Sequence, residues 1–185
     1  MIKYTFGINE NNEIVHNKNR GLTLEQEINE SNNFYIENNI AIIHKKATPV
    51  TIVKCVNNKI TEGYFEEKST TDYNGVYKGR YIDFEAKSTL SKTSFPLSNI
   101  RENQITHSKR IVSNKGLSFF LIEFASLQRY FILPTIKLLK YIDEHDTSSI
   151  PLTYFITESF EIKRGLNPPL NYINVIKNHL SEFLL

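Results

Sequence analysis

Tryptophan is absent from this 185-residue chain, and cysteine occurs once, as Cys55. One cysteine cannot close an intramolecular disulfide or build a cysteine-rich zinc site. It suits a reducing compartment, so a cytoplasmic chain is expected. No run of about eighteen apolar residues occurs, so no membrane-spanning helix is expected. The first twenty residues are Asn-rich and lack the apolar centre of a signal peptide. There is no Gly-x-Gly-x-x-Gly and no P-loop, which removes the common nucleotide-binding patterns. The five histidines are scattered, with no His-Glu-x-x-His. Charge of one sign is also lacking: the net value is only +2. That does not demand a nucleic-acid partner, although total charge says little about a local patch.

What is present is an ordinary globular composition, 40% apolar and 23% charged, on a chain long enough to bury a sizeable core. Residues 1–18 are polar and are expected to form a flexible arm. Residues 19–185 are expected to form a single domain. Leu24, Ile28, Ser31, Phe34 and Tyr35 recur at helical spacing up to Asn38, and Thr23 with Gln26 fits a capping box. Short β-type runs follow at 40–44, 50–53 and 60–68, with a turn at Asn57-Asn58. A strand pair projecting between Val50 and Lys68 is expected.

After the central stretch, Ser98 is a candidate N-cap for a helix whose Ile100, Gln104, His107 and Ile111 share a face. Leu117–Phe124 reads as a buried strand and Arg129–Leu133 as its neighbour. A helix from Pro134-Thr135 through Tyr141, a polar loop, a turn at 165–169 and a tail helix from Tyr172 to Leu184 complete the pattern. The order predicts an α/β fold with a mixed central β-sheet flanked by helices.

The central stretch, residues 69–87, carries the chemistry. Ile82, Phe84 and Ala86 alternate with Asp83, Glu85 and Lys87, which predicts a half-buried strand with its charged side chains on one face. Glu85 and Lys87 then point the same way, about 6 to 7 Å apart along the strand. Asp72 lies thirteen residues before Glu85. A hairpin would bring the two together, with the turn at Asn74-Gly75 or at Lys78-Gly79. Two carboxylates can hold Mg²⁺, a hard cation that prefers oxygen ligands. The adjacent ammonium can offset charge on a phosphoryl group under attack. Asp83 shares the face of Glu85 and competes as the second carboxylate; otherwise it is an outer or surface residue.

At this point the chain resembles the RecU family of Holliday junction resolvases, within the PD-(D/E)xK nuclease superfamily. The residues that carry the likeness are Asn19-Arg20-Gly21-Leu22-Thr23-Leu24-Glu25, Ile43-His44-Lys45-Lys46-Ala47-Thr48-Pro49 and 69–79. Tyr81-Ile82-Asp83-Phe84-Glu85-Ala86-Lys87, Lys92-Thr93-Ser94-Phe95-Pro96-Leu97 and His107 continue it. The resemblance implies a restriction-endonuclease-like fold with a protruding β-stalk at about 50–68. It implies a homodimer that cuts four-way junction DNA by paired symmetric nicks with Mg²⁺, or Mn²⁺ as substitute. By motif position Thr70, Asp72, Glu85 and Gln104 would hold the metal. Asp72, Glu85 and Lys87 would be catalytic, with Lys87 stabilising the transition state. A RecA-type recombinase is a further implied partner. Arg20, Lys45, Lys46, Lys92, Lys109 and Arg110 could meet phosphates, making binding salt-dependent. Glu62, Glu66 and Glu67 would make the stalk acidic. The alternative function is a non-catalytic junction-binding or recombinase-modulating protein of the same fold.

Overall fold

The computed structural model describes residues 20–65 and 70–184. The expected arm at 1–18 lies outside the described residues, as do Glu66, Glu67 and Lys68 of the stalk. Ten strands and five α-helices are seen among the described residues. The strands are β1 Ile42–Lys45, β2 Val50–Val56, β3 Lys59–Phe65, β4 Tyr73–Tyr77, β5 Arg80–Thr89, β6 Ser94–Pro96, β7 Leu117–Phe124, β8 Arg129–Pro134, β9 Ser149–Pro151 and β10 Phe160–Ile162. The helices are α1 Arg20–Glu37, α2 Glu102–Ser113, α3 Thr135–Glu144, α4 Leu152–Glu158 and α5 Tyr172–Asn178. No helix is long and apolar enough to cross a membrane among the described residues.

The central sheet has the order β1-β4-β5-β7-β8-β10. Only β5 and β7 run parallel; the other neighbours are antiparallel. A parallel pair needs a crossover, and here the crossover contains β6 and α2. This is the mixed sheet with flanking helices that the pattern of elements predicts.

Each sheet face has its own core. On one face α1 and α5 cover Ile82, Phe84, Phe119, Leu121 and Ile132. On the other, Phe120, Ile122, Phe131 and Leu133 pack with Phe95, Leu138 and Phe155. An aromatic row crosses three strands: Tyr73 stacks on Phe84 at 4.8 Å, and Phe84 on Phe119 at 4.7 Å. These residues are direct partners in the sheet register. The row therefore fixes β4 against β5 one residue from Asp72 and one residue from Glu85.

The first and last helices are joined. Tyr35 Oη donates to the Leu170 carbonyl at 2.8 Å, and the Leu170 N–H donates to Ser31 Oγ at 2.9 Å. Tyr172 Oη donates to Asn32 Oδ1. The tail expected as one helix divides into α5 and a 3-10 turn at Leu180–Phe183, whose Phe183 is fully buried against Phe119.

The β2–β3 ribbon is a separate two-stranded sheet. Asn57 and Asn58 both have positive φ, 48° and 60°, which a two-residue hairpin turn requires. Its described side chains, at 50–64, are exposed on both faces, apart from partly buried Thr51.

Several boundaries differ from expectation. α1 starts at Arg20, so Thr23 lies within the helix and is not its N-cap. Ser98 falls in a 3-10 turn, and α2 starts at Glu102 behind Arg101. The buried face of α2 is Gln104, Ser108 and Val112. α4 and β10 have no counterpart in the sequence reading.

Candidate active site

The turn between β4 and β5 is Lys78-Gly79, with φ of 47° and 76°. Gly75 sits inside β4 for a different reason. A Cβ there would lie 2.0 Å from the Ile42 carbonyl oxygen. Glycine lets β1 approach β4, and the hairpin closes at the second pair. Tyr73 then pairs with Phe84, so the next step sets Asp72 opposite Glu85.

Asp72 Oδ2 accepts from the Ala86 N–H at 3.0 Å, which pins its carboxylate to β5. Lys87 Nζ reaches Glu85 Oε1 at 2.7 Å. Gln104 Nε2, arriving from α2, donates to the same oxygen at 2.5 Å. Gln104 Oε1 accepts from the Arg101 N–H at 3.0 Å, capping the helix that carries it. The amide therefore presents its nitrogen to Glu85. Glu85 Oε2 is buried and has no hydrogen-bond partner. Burial pushes the Glu85 carboxyl up to about 7; Asp72 adds to this, while Lys87 and Gln104 oppose it.

The face of β5 that carries the charged residues is not open, as alternation suggests. Asp83 is 0% exposed and Glu85 2%. α2 and the segments around Lys46 and Thr71 cover it. The surface reading of Asp83 is overturned. Its carboxylate takes Thr71 Oγ1 at 2.6 Å on Oδ1, and Lys46 Nζ at 2.7 Å and Tyr81 Oη at 3.1 Å on Oδ2. His107 Nε2 lies 3.2 Å from Oδ1 without hydrogen-bond alignment. Those donors keep a buried carboxylate satisfied.

The residues assigned to phosphates divide. Lys92, Lys109 and Arg110 are exposed. The Arg20 side chain lies outside the described residues. Lys45 Nζ pairs with Glu25 Oε2 at 2.5 Å. Lys46 is turned inward, with Nζ also 3.2 Å from Thr70 Oγ1 and 2.5 Å from Thr71 Oγ1. Thr71 and Tyr81 were missed as participants. The signal for Thr71 lay in its place beside Asp72.

The residues fit a hard divalent cation in two respects. Thr70, Asp72 and Glu85 offer oxygen donors, and Glu85 Oε2 is a buried acceptor without a partner. No three His, Cys, Asp or Glu side chains converge among the described residues. Such a site has two carboxylates, which suits an ion that keeps several waters.

A family model described as Recombination protein U matches residues 19–178. The Holliday junction resolvase RecU of Lactobacillus helveticus (strain DPC 4571) is 47% identical over 173 residues, covering 91% of this chain and 82% of that protein. The protein of the same name from Lactiplantibacillus plantarum is 47% identical over 171 residues, 88% of this chain and 83% of its own. That from Streptococcus pneumoniae (strain Hungary19A-6) is 42% identical over 168 residues, 88% and 85% of the two chains. With a matching family model and relatives of this identity along most of its length, the chain belongs to the Recombination protein U (RecU) family.

Proposed function

We propose that the chain is a metal-dependent endonuclease that resolves Holliday junctions in recombination and repair. The observation that carries this reading is the meeting of Asp72, Glu85, Lys87 and Gln104 around one buried carboxylate in a RecU chain. Mg²⁺, or Mn²⁺ in its place, would supply an activated water and charge neutralisation at the scissile phosphate.

The chain's own groups then have distinct tasks. Asp72 and Glu85 hold the ion, with Thr70 adding a hydroxyl oxygen. Gln104 steadies Glu85 by its N–H; in the observed rotamer its carbonyl oxygen caps α2, so it acts on the ion through Glu85. Lys87 gives up part of its pairing with Glu85 when the phosphate arrives and offsets charge on the phosphoryl oxygens. Lys92, Lys109 and Arg110 meet the DNA backbone, which positions the substrate without reading bases. The β2–β3 ribbon is the stalk that enters the junction.

Paired symmetric cuts need two sites facing two strands. One chain offers one such carboxylate pair among its described residues, so two copies act together as a homodimer. A RecA-type recombinase is the further partner of this reading.

The test is a labelled mobile four-way junction and a linear duplex of the same sequence, each with Mg²⁺ and with EDTA. Symmetric nicks in the junction alone, dependent on metal and lost in Glu85→Ala with junction binding retained, are expected. Tight binding with no cleavage in Mg²⁺ or Mn²⁺ would assign the protein to the non-catalytic reading. Full cleavage by Glu85→Ala would remove that residue from the metal site.

A further inference from the structure

We propose that Asp83 and Lys46 are positioning residues of the reaction: their buried ion pair sets the spacing of the groups that hold the metal. The inference rests on the metal-site reading above and extends it to residues outside that site.

The two charges form the centre of a closed network. Lys46 Nζ lies 2.7 Å from Asp83 Oδ2 and 2.5 Å from Thr71 Oγ1, and Thr71 Oγ1 donates to Asp83 Oδ1 at 2.6 Å. The three groups close a ring in which every short contact has a partner. Asp83 is 0% exposed and the Lys46 side chain 15%. An ion pair so shielded from water is costly to assemble and gains no solubility. Its contribution in this proposal is geometric, since a fully partnered buried charged network admits few arrangements.

Two arms of the network, through Lys46 and through Thr71, lead to the residues proposed to hold the metal, while a third runs through Tyr81 to Asn74. Lys46 Nζ touches Thr70 Oγ1 at 3.2 Å, and the Lys46 N–H donates to the Asp72 carbonyl at 2.8 Å. Thr71 stands between Thr70 and Asp72 and is tied to β5 through Asp83. On the other side His107 contacts Asp83 at 3.2 Å. His107 is three residues after Gln104 and so lies on the same side of α2. Asp83 is two residues before Glu85 on the same face of β5. Helix and strand thus meet at two rungs, Gln104 on Glu85 and His107 on Asp83. Removing the Asp83 carboxylate takes away Thr71's tie to β5 and the charge beside His107, leaving Gln104 and the Ala86 N–H to set the spacing alone.

This geometry reassigns Lys46. A lysine that meets phosphate needs a free ammonium at the surface. Here the ammonium is committed to three oxygens.

The experiment compares Asp83→Asn, Lys46→Arg and Thr71→Val with the unaltered protein. Thr71→Val keeps the shape and removes only the hydroxyl, so it reports even where a charge change prevents folding. Folding is followed by thermal melting. Mn²⁺ affinity is measured by calorimetry, single-turnover cleavage across a Mg²⁺ series, and junction affinity without metal across a salt series. We expect folded variants with Mn²⁺ affinity reduced by about 10–100-fold, the usual effect of losing a partner behind a metal ligand. Cleavage should recover in part at raised Mg²⁺, while metal-free junction affinity and its salt slope stay unchanged. Lys46→Arg keeps the charge, so a phosphate contact would survive it and the ring geometry would not. Mn²⁺ affinity equal to the unaltered protein in folded variants overturns the proposal. So does a Lys46→Arg variant with full cleavage. Should the unaltered protein itself fail to take up Mn²⁺, the metal-site reading falls first, and the proposal with it.

Discussion

Gln104 Nε2 lies 2.5 Å from Glu85 Oε1, although the two are nineteen residues apart. The contact joins a helix to the strand beneath it at one carboxylate oxygen and leaves the other oxygen, Oε2, buried and unpartnered. A lone buried acceptor is costly unless something comes to fill it. Without a cation, a proton does so below about pH 7.

That proton gives the first prediction. Burial, with Asp72 beside it, pushes Glu85 up to about 7. The folded state therefore keeps this proton to higher pH than the unfolded chain. In the metal-free protein its contribution to stability is present at low pH and is lost as pH rises through about 7. Cation binding should show the opposite trend, with Mn²⁺ affinity rising by up to about tenfold per unit between roughly pH 6 and 7. Calorimetric titrations at several pH values check this, and Glu85→Gln should flatten both trends.

A second carboxyl lies on the opposite face of the sheet. Glu123 is pushed up by burial and by the nearby Glu27, while Ser88 Oγ, donating at 2.7 Å, opposes the shift. Glu27 is itself paired with Arg164 at 2.6 Å. The sign is the same as for Glu85: the contribution is present at low pH and is lost as pH rises through the folded value. Glu123→Gln keeps an acceptor for Ser88 and removes the charge. As pH rises through the folded value of Glu123, the melting temperature of this variant should fall less than that of the unaltered protein.

Phe183 tests whether the tail belongs to the fold. It is fully buried and packs edge-on against Phe119 with ring centroids 5.9 Å apart. Phe183→Ala should cost about 3–5 kcal/mol in urea unfolding. A loss below about 1 kcal/mol would make the tail an accessory.

The ribbon should behave in the opposite way. Its side chains are almost all exposed, including Ile52, Val53, Ile60 and Tyr64. Replacing residues 51–64 with a short Gly-Ser link should change unfolding free energy by less than about 1 kcal/mol. Preference for a four-way junction over linear duplex should fall, as measured by competition binding. Unfolding of the shortened protein would show that the ribbon carries the fold.

The alternation of Ile82, Phe84 and Ala86 with Asp83, Glu85 and Lys87 made β5 legible, because period two survives whatever covers the strand. What lies on top of the charged face was not legible. Alternation records which side chains share a face, not whether a helix later seals it. Asp83 therefore reads from sequence equally as a competing second carboxylate or as an outer or surface residue, and only its surroundings show it buried and paired with Lys46. The turn was ambiguous because Asn74-Gly75 and Lys78-Gly79 have the same local signature; the approach of Ile42 to Gly75 decides between them, and that contact is long-range. Lys45 and Lys46 looked alike in sequence. One pairs with Glu25 and the other turns inward to Asp83. α4 and β10 are short, and elements of that length leave too few residues for a period to show. Gln104 entered only by family position, since a glutamine on a helix carries no signal of its own.

The links from α1 to the Leu170–Tyr172 segment span 135 to 140 residues of chain. Closing so long a loop costs entropy before any contact repays it. Local pieces such as the β4–β5 hairpin can form early, and the seal between the first and last helices comes late. The strand that carries Glu85 and Lys87 thus owes the cover of its Phe84 face to contacts among the furthest apart in the chain.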